Sequence, residues 1–168
     1  MLTDAVRIQL GRMGRETIRK AQKNLSTRRR RKVASGRFVT SQIDNSGRLS
    51  KSMKYKSARG KLTFEMAEYG LYVDEGRKPG KYAPPKAIEE WIKSKPIRLR
   101  DLKSGKFMKQ TKKAMQSLAF LINRGIHDNG ILPTKFFTKA LNSEIKRLEK
   151  TLPEALEKEI DTYFNKYE

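Results

Sequence analysis

Apolar positions recur at helical spacing from Leu2 through Val6, Leu10, Met13 and Thr17 to Ala21, which predicts an amphipathic helix over residues 2–24. Arg12, Arg15, Arg19 and Lys23 fall together on another face, where a solvated basic surface is the ordinary outcome. Gly11 and Gly14 each weaken such a helix by roughly 1 kcal/mol relative to alanine, so packing has to hold it. Further on the period changes from helical to alternating. With Arg59-Gly60 as a tight turn, Ala58 faces Lys61, Ser57 faces Leu62, Tyr55 faces Phe64 and Met53 faces Met66. On the other side Lys54 meets Glu65 and Lys56 meets Thr63. A hairpin over about residues 53–67 therefore has one mostly apolar face and one charge-compatible face, and a slip of one residue would lose both matches. A short helical turn over residues 47–52 leads into it.

Glu68 to Asp74 carries Tyr69, Leu71, Tyr72 and Val73 and reads either as a short helix or as an extended aromatic segment. Gly76-Arg77-Lys78-Pro79-Gly80 is a loop by its glycines and proline. Pro84-Pro85 opens a helix with Ile88, Trp91 and Ile92 as its apolar stripe, and Pro96 ends it. Residues 97–110 form a second basic excursion, a hairpin or a loop. Met115, Leu118, Ala119, Ile122 and Ile126 predict a strong helix stopped by Asp128-Asn129-Gly130. Pro133-Thr134 starts the next, with Phe137, Leu141, Ile145 and Leu148 in its stripe. Thr151-Leu152-Pro153-Glu154 has a capping signature that predicts a new helix, striped by Leu156, Ile160, Tyr163 and Tyr167 and acidic outside. The expected class is α+β: a small antiparallel sheet packed with several helices, a long N-terminal helix with a basic arm, and a helical C-terminus. Its expected parts are a helix and arm over 1–45, a core over 46–150 and an acidic helix over 151–168.

Composition sharpens this picture. Of 168 residues 36% are hydrophobic and 34% charged, which suits a compact centre with a solvated or partner-bound periphery. The chain has no cysteine, which excludes disulfides and thiolate metal sites. The N-terminus lacks the order of a signal peptide, and the densest apolar run, Leu118 to Ile122, is far too short to span a bilayer. A soluble protein without a membrane partner is expected, and the absence of cysteine is compatible with a reducing cytoplasm.

The net charge of +21 is unevenly spread. Residues 1–63 carry 18 basic and 3 acidic groups, residues 64–150 carry 19 and 10, and residues 151–168 carry 2 and 5. Such a gradient favours a polyanionic partner for the front half, or head-to-tail packing of basic on acidic surface in an oligomer. The densest charge is Arg28-Arg29-Arg30-Arg31-Lys32. Like charges repel and nothing apolar nearby could bury them, so in isolation a flexible arm is expected. It is a candidate contact for nucleic-acid phosphates, which cations engage without reading sequence, or for a neighbouring subunit's carboxylates. No aromatic interrupts the run, so base stacking is not expected there.

Catalytic chemistry is not signalled. The single histidine, His127, lies near a predicted helix end, where it is an ordinary dipole partner. Asp74-Glu75 are adjacent and point apart, with Arg77 and Lys78 close by for ion pairs. No P-loop, dinucleotide fingerprint or His-Glu metal motif occurs, and no cofactor or metal is expected.

The order of segments nevertheless suggests a family. A basic helix, Ser46-Gly47-Arg48-Leu49 and a hairpin come before Tyr69-Gly70-Leu71-Tyr72-Val73-Asp74-Glu75-Gly76-Arg77. Pro84-Pro85 and the Trp91 helix follow, then Ala119-Phe120-Leu121-Ile122-Asn123-Arg124-Gly125-Ile126 and Pro133-Thr134-Lys135-Phe136-Phe137 with Ala140-Leu141. This arrangement resembles the minor tail-component or tail-completion (head–tail joining) proteins of tailed bacteriophages, over roughly residues 47–141. Tyr69, Gly70, Tyr72, Val73, Glu75, Gly76, Pro85, Trp91, Phe136 and Phe137 match that family's pattern, although Asp74-Glu75 stands where the family has one acidic residue. The Arg28–Lys32 arm, residues 97–110 and the acidic C-terminal helix lie outside the likeness. The resemblance implies a non-enzymatic α+β protomer of a homo-oligomeric ring in the virion neck or tail top. Portal or connector and tail proteins would be its neighbours, with viral DNA in its lumen. The alternative is a sequence-nonspecific nucleic-acid-binding protein acting through the arm; a metal-dependent nuclease is a more distant third.

Overall fold

The computed structural model describes residues 4–32, 36, 38–44, 46–93, 105–107 and 111–166. In chain order the elements are α1 (Asp4–Ser26), β1 (Arg29–Lys32), β2 (Phe38–Ser41), α2 (Arg48–Ser52), β3 (Lys54–Ala58) and β4 (Lys61–Glu65). They continue with α3 (Tyr69–Glu75), α4 (Pro85–Lys93), α5 (Lys112–Asn129) and α6 (Phe136–Phe164). The fold is thus α+β, with two antiparallel sheets of two strands each among the described residues. Two compact units interleave along the sequence: Met1–Arg28, Gln42–Asp74 and Thr134–Glu168 form one, Arg29–Ser41 and Glu75–Pro133 the other.

The first unit is built on α1 and α6, which run antiparallel. Asn24 Nδ2 donates to the Phe136 carbonyl at 2.9 Å, and Lys20 Nζ to Ser143 Oγ at 2.8 Å. At the far end the Asp4 and Ala5 amides donate to the Glu159 carboxylate at 3.1 and 2.8 Å. A glutamate from the acidic end of α6 thereby satisfies two of the orphan donors that open α1. The predicted stripe of α1 is the buried one: Met13, Thr17 and Ala21 are buried, joined by Gly14 and Leu25. Ala21 and Leu25 pack with Leu49, Met53, Phe136 and Ala140 in the core of this unit.

The hairpin has the expected register, with Tyr55 opposite Phe64, Ser57 opposite Leu62 and Ala58 opposite Lys61. Phe64 meets Phe137 of α6 edge to face at 5.2 Å between ring centroids. On the outer side Lys56 Nζ lies 2.6 Å from Glu65 Oε1, and that hydrogen bond holds the Glu65 carboxyl below its ordinary range. Before the hairpin, Asp44 accepts from the Gly47 amide at 2.9 Å and the Ser50 amide at 2.8 Å, which secures the predicted turn as α2.

The two α1 glycines differ. A Cβ on Gly14 would sit 2.3 Å from Cδ2 of the Tyr55 ring, whereas one on Gly11 would meet nothing within 4 Å. Gly14 lets β3 lie against the helix; Gly11 only loses helix propensity. Gly11→Ala is therefore expected to stabilise the protein by about 1 kcal/mol, and Gly14→Ala to destabilise it by about 1–2 kcal/mol through overpacking. Paired urea titrations check the opposite signs.

Three expectations need correction here. Residues 28–32 do not form an irregular arm throughout, because Arg29–Lys32 is strand β1 paired with β2. No new helix starts at Thr151, since α6 continues through Pro153. The Thr151 hydroxyl that would have capped it instead donates to Gln9 Oε1 of α1 at 3.3 Å, so packing on α1 overrides the local stop signal. The buried face of α6 is also one position from the expected stripe: Phe136, Ala140 and Glu144 are buried, while Ile145 is 38% exposed. Ile160 and Tyr163 are exposed as well.

In the second unit Ala83, Ile88, Ile92 and Ala119 form a core between α4 and α5, flanked by Met115, Leu118, Ile122 and Ile126. Thr111 caps α5 by accepting from the Ala114 amide at 3.2 Å, and Gly130 closes it, as expected. Trp91, assigned to the stripe of α4, is instead 42% exposed, because Ile88 and Ile92 point to the core and Trp91 flanks them. The expectations for Leu2, Pro96 and Tyr167, and for residues 97–110 apart from 105–107, lie outside the described residues.

Candidate functional site

The aromatic stretch at residues 69–75 is a helix, α3, and its C-terminal end clamps the start of α6. The Val73 carbonyl accepts from the Thr134 hydroxyl at 2.7 Å and the Thr134 amide at 3.2 Å, and the Asp74 carbonyl accepts from the Lys135 amide at 3.0 Å. The Asp74 carboxylate then takes the Phe137 amide at 2.7 Å, the Thr138 amide at 3.3 Å and a very short bond from the Thr138 hydroxyl. Lys135, the residue at the N-cap of α6, is left-handed (φ 53°) and offers no side-chain cap. A buried aspartate 4% exposed, brought from another helix, does that work. Negative charge is favoured at that helix end.

This geometry resolves the acidic pair at 74 and 75. Asp74 is the buried member with a defined task, while Glu75, the member assigned to the family-like motif, is exposed. Gly70 is buried because a Cβ there would meet Met66 Sδ at 2.7 Å and Leu49 Cδ1 at 2.9 Å. Tyr69, Leu71 and Tyr72 are 44%, 57% and 56% exposed, so α3 shows an aromatic outer face. Burial, and less strongly the Asp44 carboxylate, push the Tyr69 phenol above its ordinary pKa.

The loop after α3 is pinned within the second unit. Arg77 and Ile131 exchange two backbone hydrogen bonds of 2.8 Å. Gly76 and Gly130 flank that bridge with φ of 80° and 70°, and a Cβ on either would strike backbone, at Ile131 O and Arg77 O respectively. Only glycine fits at both positions. Asn123, buried in α5, donates to the Ala83 carbonyl at 2.8 Å and accepts its amide at 2.7 Å. Tyr82 stacks on His127 at 4.3 Å, and His127 Nδ1 lies 2.9 Å from Asp128 Oδ1. Pro85 is the exposed first residue of α4.

The basic cluster lies on the ribbon of β1 and β2. Arg29 pairs with Ser41, Arg30 with Thr40, Arg31 with Val39 and Lys32 with Phe38. Arg28, Arg29, Arg30 and Lys32 are exposed. Pairing also brings up an aromatic that the run itself lacks: Phe38 is 59% exposed, and the Arg30 guanidinium lies over its ring at 4.7 Å.

A further charged group was invisible to periodicity. Glu144 is 1% exposed, yet Lys20 Nζ lies 2.6 Å from one of its oxygens and Arg147 Nε 2.7 Å from the other. Burial pushes its pKa up, but the hydrogen bonds and charges of Lys20 and Arg147 outweigh burial and hold it below its ordinary value. Arg147 in turn reaches Gln9 and Thr151.

Among the described residues no group of three or more His, Asp or Glu is placed to hold a metal ion, and no helix is long and apolar enough to cross a membrane. No protein-family model, curated protein or solved structure matches the chain.

Proposed function

We propose that the protein is a structural, non-enzymatic component of a tailed bacteriophage virion, forming a ring in the neck or tail top that joins the head connector to the tail and surrounds the DNA path. One observation supports this reading most. Residues 73–74 and 134–138, which belong to two separated segments of the family-like pattern, meet in one hydrogen-bonded clamp built for packing rather than chemistry. The exposed aromatic face of α3, and the gradient from a basic N-terminal half to an acidic C-terminal end, suit heterologous contacts between identical protomers around a closed axis. Mass measurement and negative-stain imaging of the purified protein are expected to give closed rings of one stoichiometry, or assembly onto a connector. A strictly monomeric protein that never enters particles would refute the proposal, and cleavage of DNA in added magnesium would refute its non-enzymatic part. The second reading, a sequence-nonspecific nucleic-acid-binding protein, is favoured by the exposed cations of β1.

A further inference from the structure

We infer that the ribbon of β1 and β2 is a duplex-DNA-binding element that enters the major groove and neutralises the flanking phosphates. The inference deepens the nucleic-acid reading and rests on it, but does not require a ring. Between Glu16 and Asp44 the chain has no acidic residue, so the segment that forms the ribbon carries positive charge only. Pairing converts a run of like charges into a rigid array: Arg30 and Lys32 share one face with Thr40 and Phe38, and Arg29 lies on the opposite face with Ser41. Same-face residues on a strand stand about 6.8 Å apart, and a B-form major groove about 12 Å wide admits a two-stranded ribbon. The exposed Thr40 adds a hydroxyl donor that suits phosphate oxygens.

The same details separate duplex DNA from other nucleic acids. Single-strand binders need aromatic platforms for successive bases. Here the ribbon offers one aromatic among its described residues, Phe38, with the Arg30 guanidinium over its ring. In A-form RNA the major groove is too deep and narrow for side chains to read. Contacts to phosphates carry no sequence information, so binding independent of sequence follows.

The test is fluorescence anisotropy of the full-length protein with a random-sequence DNA duplex, a single strand and an RNA duplex of equal length, across a salt series. Duplex DNA is expected to bind tightest. Replacing Arg29, Arg30, Arg31 and Lys32 with serine is expected to flatten the slope of log affinity against log salt by up to about 3.6, at roughly 0.9 per phosphate contact. Arg30→Ser with Lys32→Ser, the milder variant should the larger one fold poorly, is expected to flatten it by about 2. A control replacing the exposed Lys54, Lys61, Lys112 and Lys113 with serine should leave the slope near the parent value. An unchanged slope in the ribbon variants, or an equal loss in the control, overturns the inference. So does tighter binding of the single strand that is lost in Phe38→Ala. A monomer whose duplex binding depends on the ribbon supports the inference while removing the ring, and rings whose binding ignores the ribbon do the reverse.

Discussion

Asp74→Ala is expected to destabilise the protein by about 3 kcal/mol, because buried amide donors lose a charged acceptor in a place that water reaches poorly. The carboxylate serves the Phe137 and Thr138 amides and the Thr138 hydroxyl, at the start of the longest helix in the structure. Ordinary loss of a cap costs about 1 kcal/mol; the excess comes from burial and from the number of donors orphaned. Asp74→Asn keeps an oxygen acceptor and loses the charge, so it is expected to fall between the parent and the alanine variant. Glu75→Ala, one residue on and exposed, is expected to change stability by less than about 0.5 kcal/mol. Urea titrations of the three variants check the order, and equal effects at 74 and 75 would contradict the clamp.

Glu144→Ala is expected to cost about 3–5 kcal/mol, the usual penalty for removing one member of a buried charge cluster. Lys20, partly exposed, can turn to water, but Arg147 Nη2 is buried with no hydrogen-bond partner among the described residues, so the arginine bears most of the loss. The pH dependence has a definite sign. The folded-state pKa of Glu144 lies below its unfolded value, so its stabilisation is fully present above the ordinary glutamate range and is lost as pH falls through the lowered folded pKa. The parent is therefore expected to lose stability on acidification below about pH 4.3. Glu144→Gln is expected to start less stable at neutral pH and to show a shallower acid limb. Identical acid limbs would show that Glu144 gains no net stabilisation from its partners.

What was legible in the sequence is what period and turn chemistry encode. The hairpin could be placed to the residue because its two faces differ in kind and Arg59-Gly60 fixes the turn. The stripe of α1, the proline start of α4 and the glycine stop of α5 follow from equally local signals. The failures share a cause: a long-range partner overrode a local preference. Thr151 and Pro153 look like a helix start only until Gln9 is there to take the hydroxyl. Glu144 looks like an outward residue only until Lys20 and Arg147 compensate its charge. Arg29 to Lys32 have no apolar pattern to announce a strand; their pairing with residues 38–41 shows only in three dimensions.

The candidate site was legible to a similar depth. The segment from Tyr69 to Gly76 stood out by its aromatics and glycines, and the reason for the glycines is now geometric: Gly70 admits Met66 and Leu49, while Gly76 admits the strand-like approach of Ile131. Which acidic residue mattered was not legible, because neighbouring carboxylates differ only in what lies 60 residues further on. Thr138 and Asn123 gave no signal of their own. Each is a polar residue on a helix whose task is set by a partner brought from elsewhere, the Asp74 carboxylate for Thr138 and the Ala83 backbone for Asn123.

The most direct measurement is the position of this chain in an intact tailed particle, read from a cryo-electron microscopy reconstruction of the neck and tail top. A ring of identical copies there, coaxial with the DNA, is the predicted result. Particles that lack the chain, or that carry it only in the capsid shell or at the distal end of the tail, would contradict the proposed joining role.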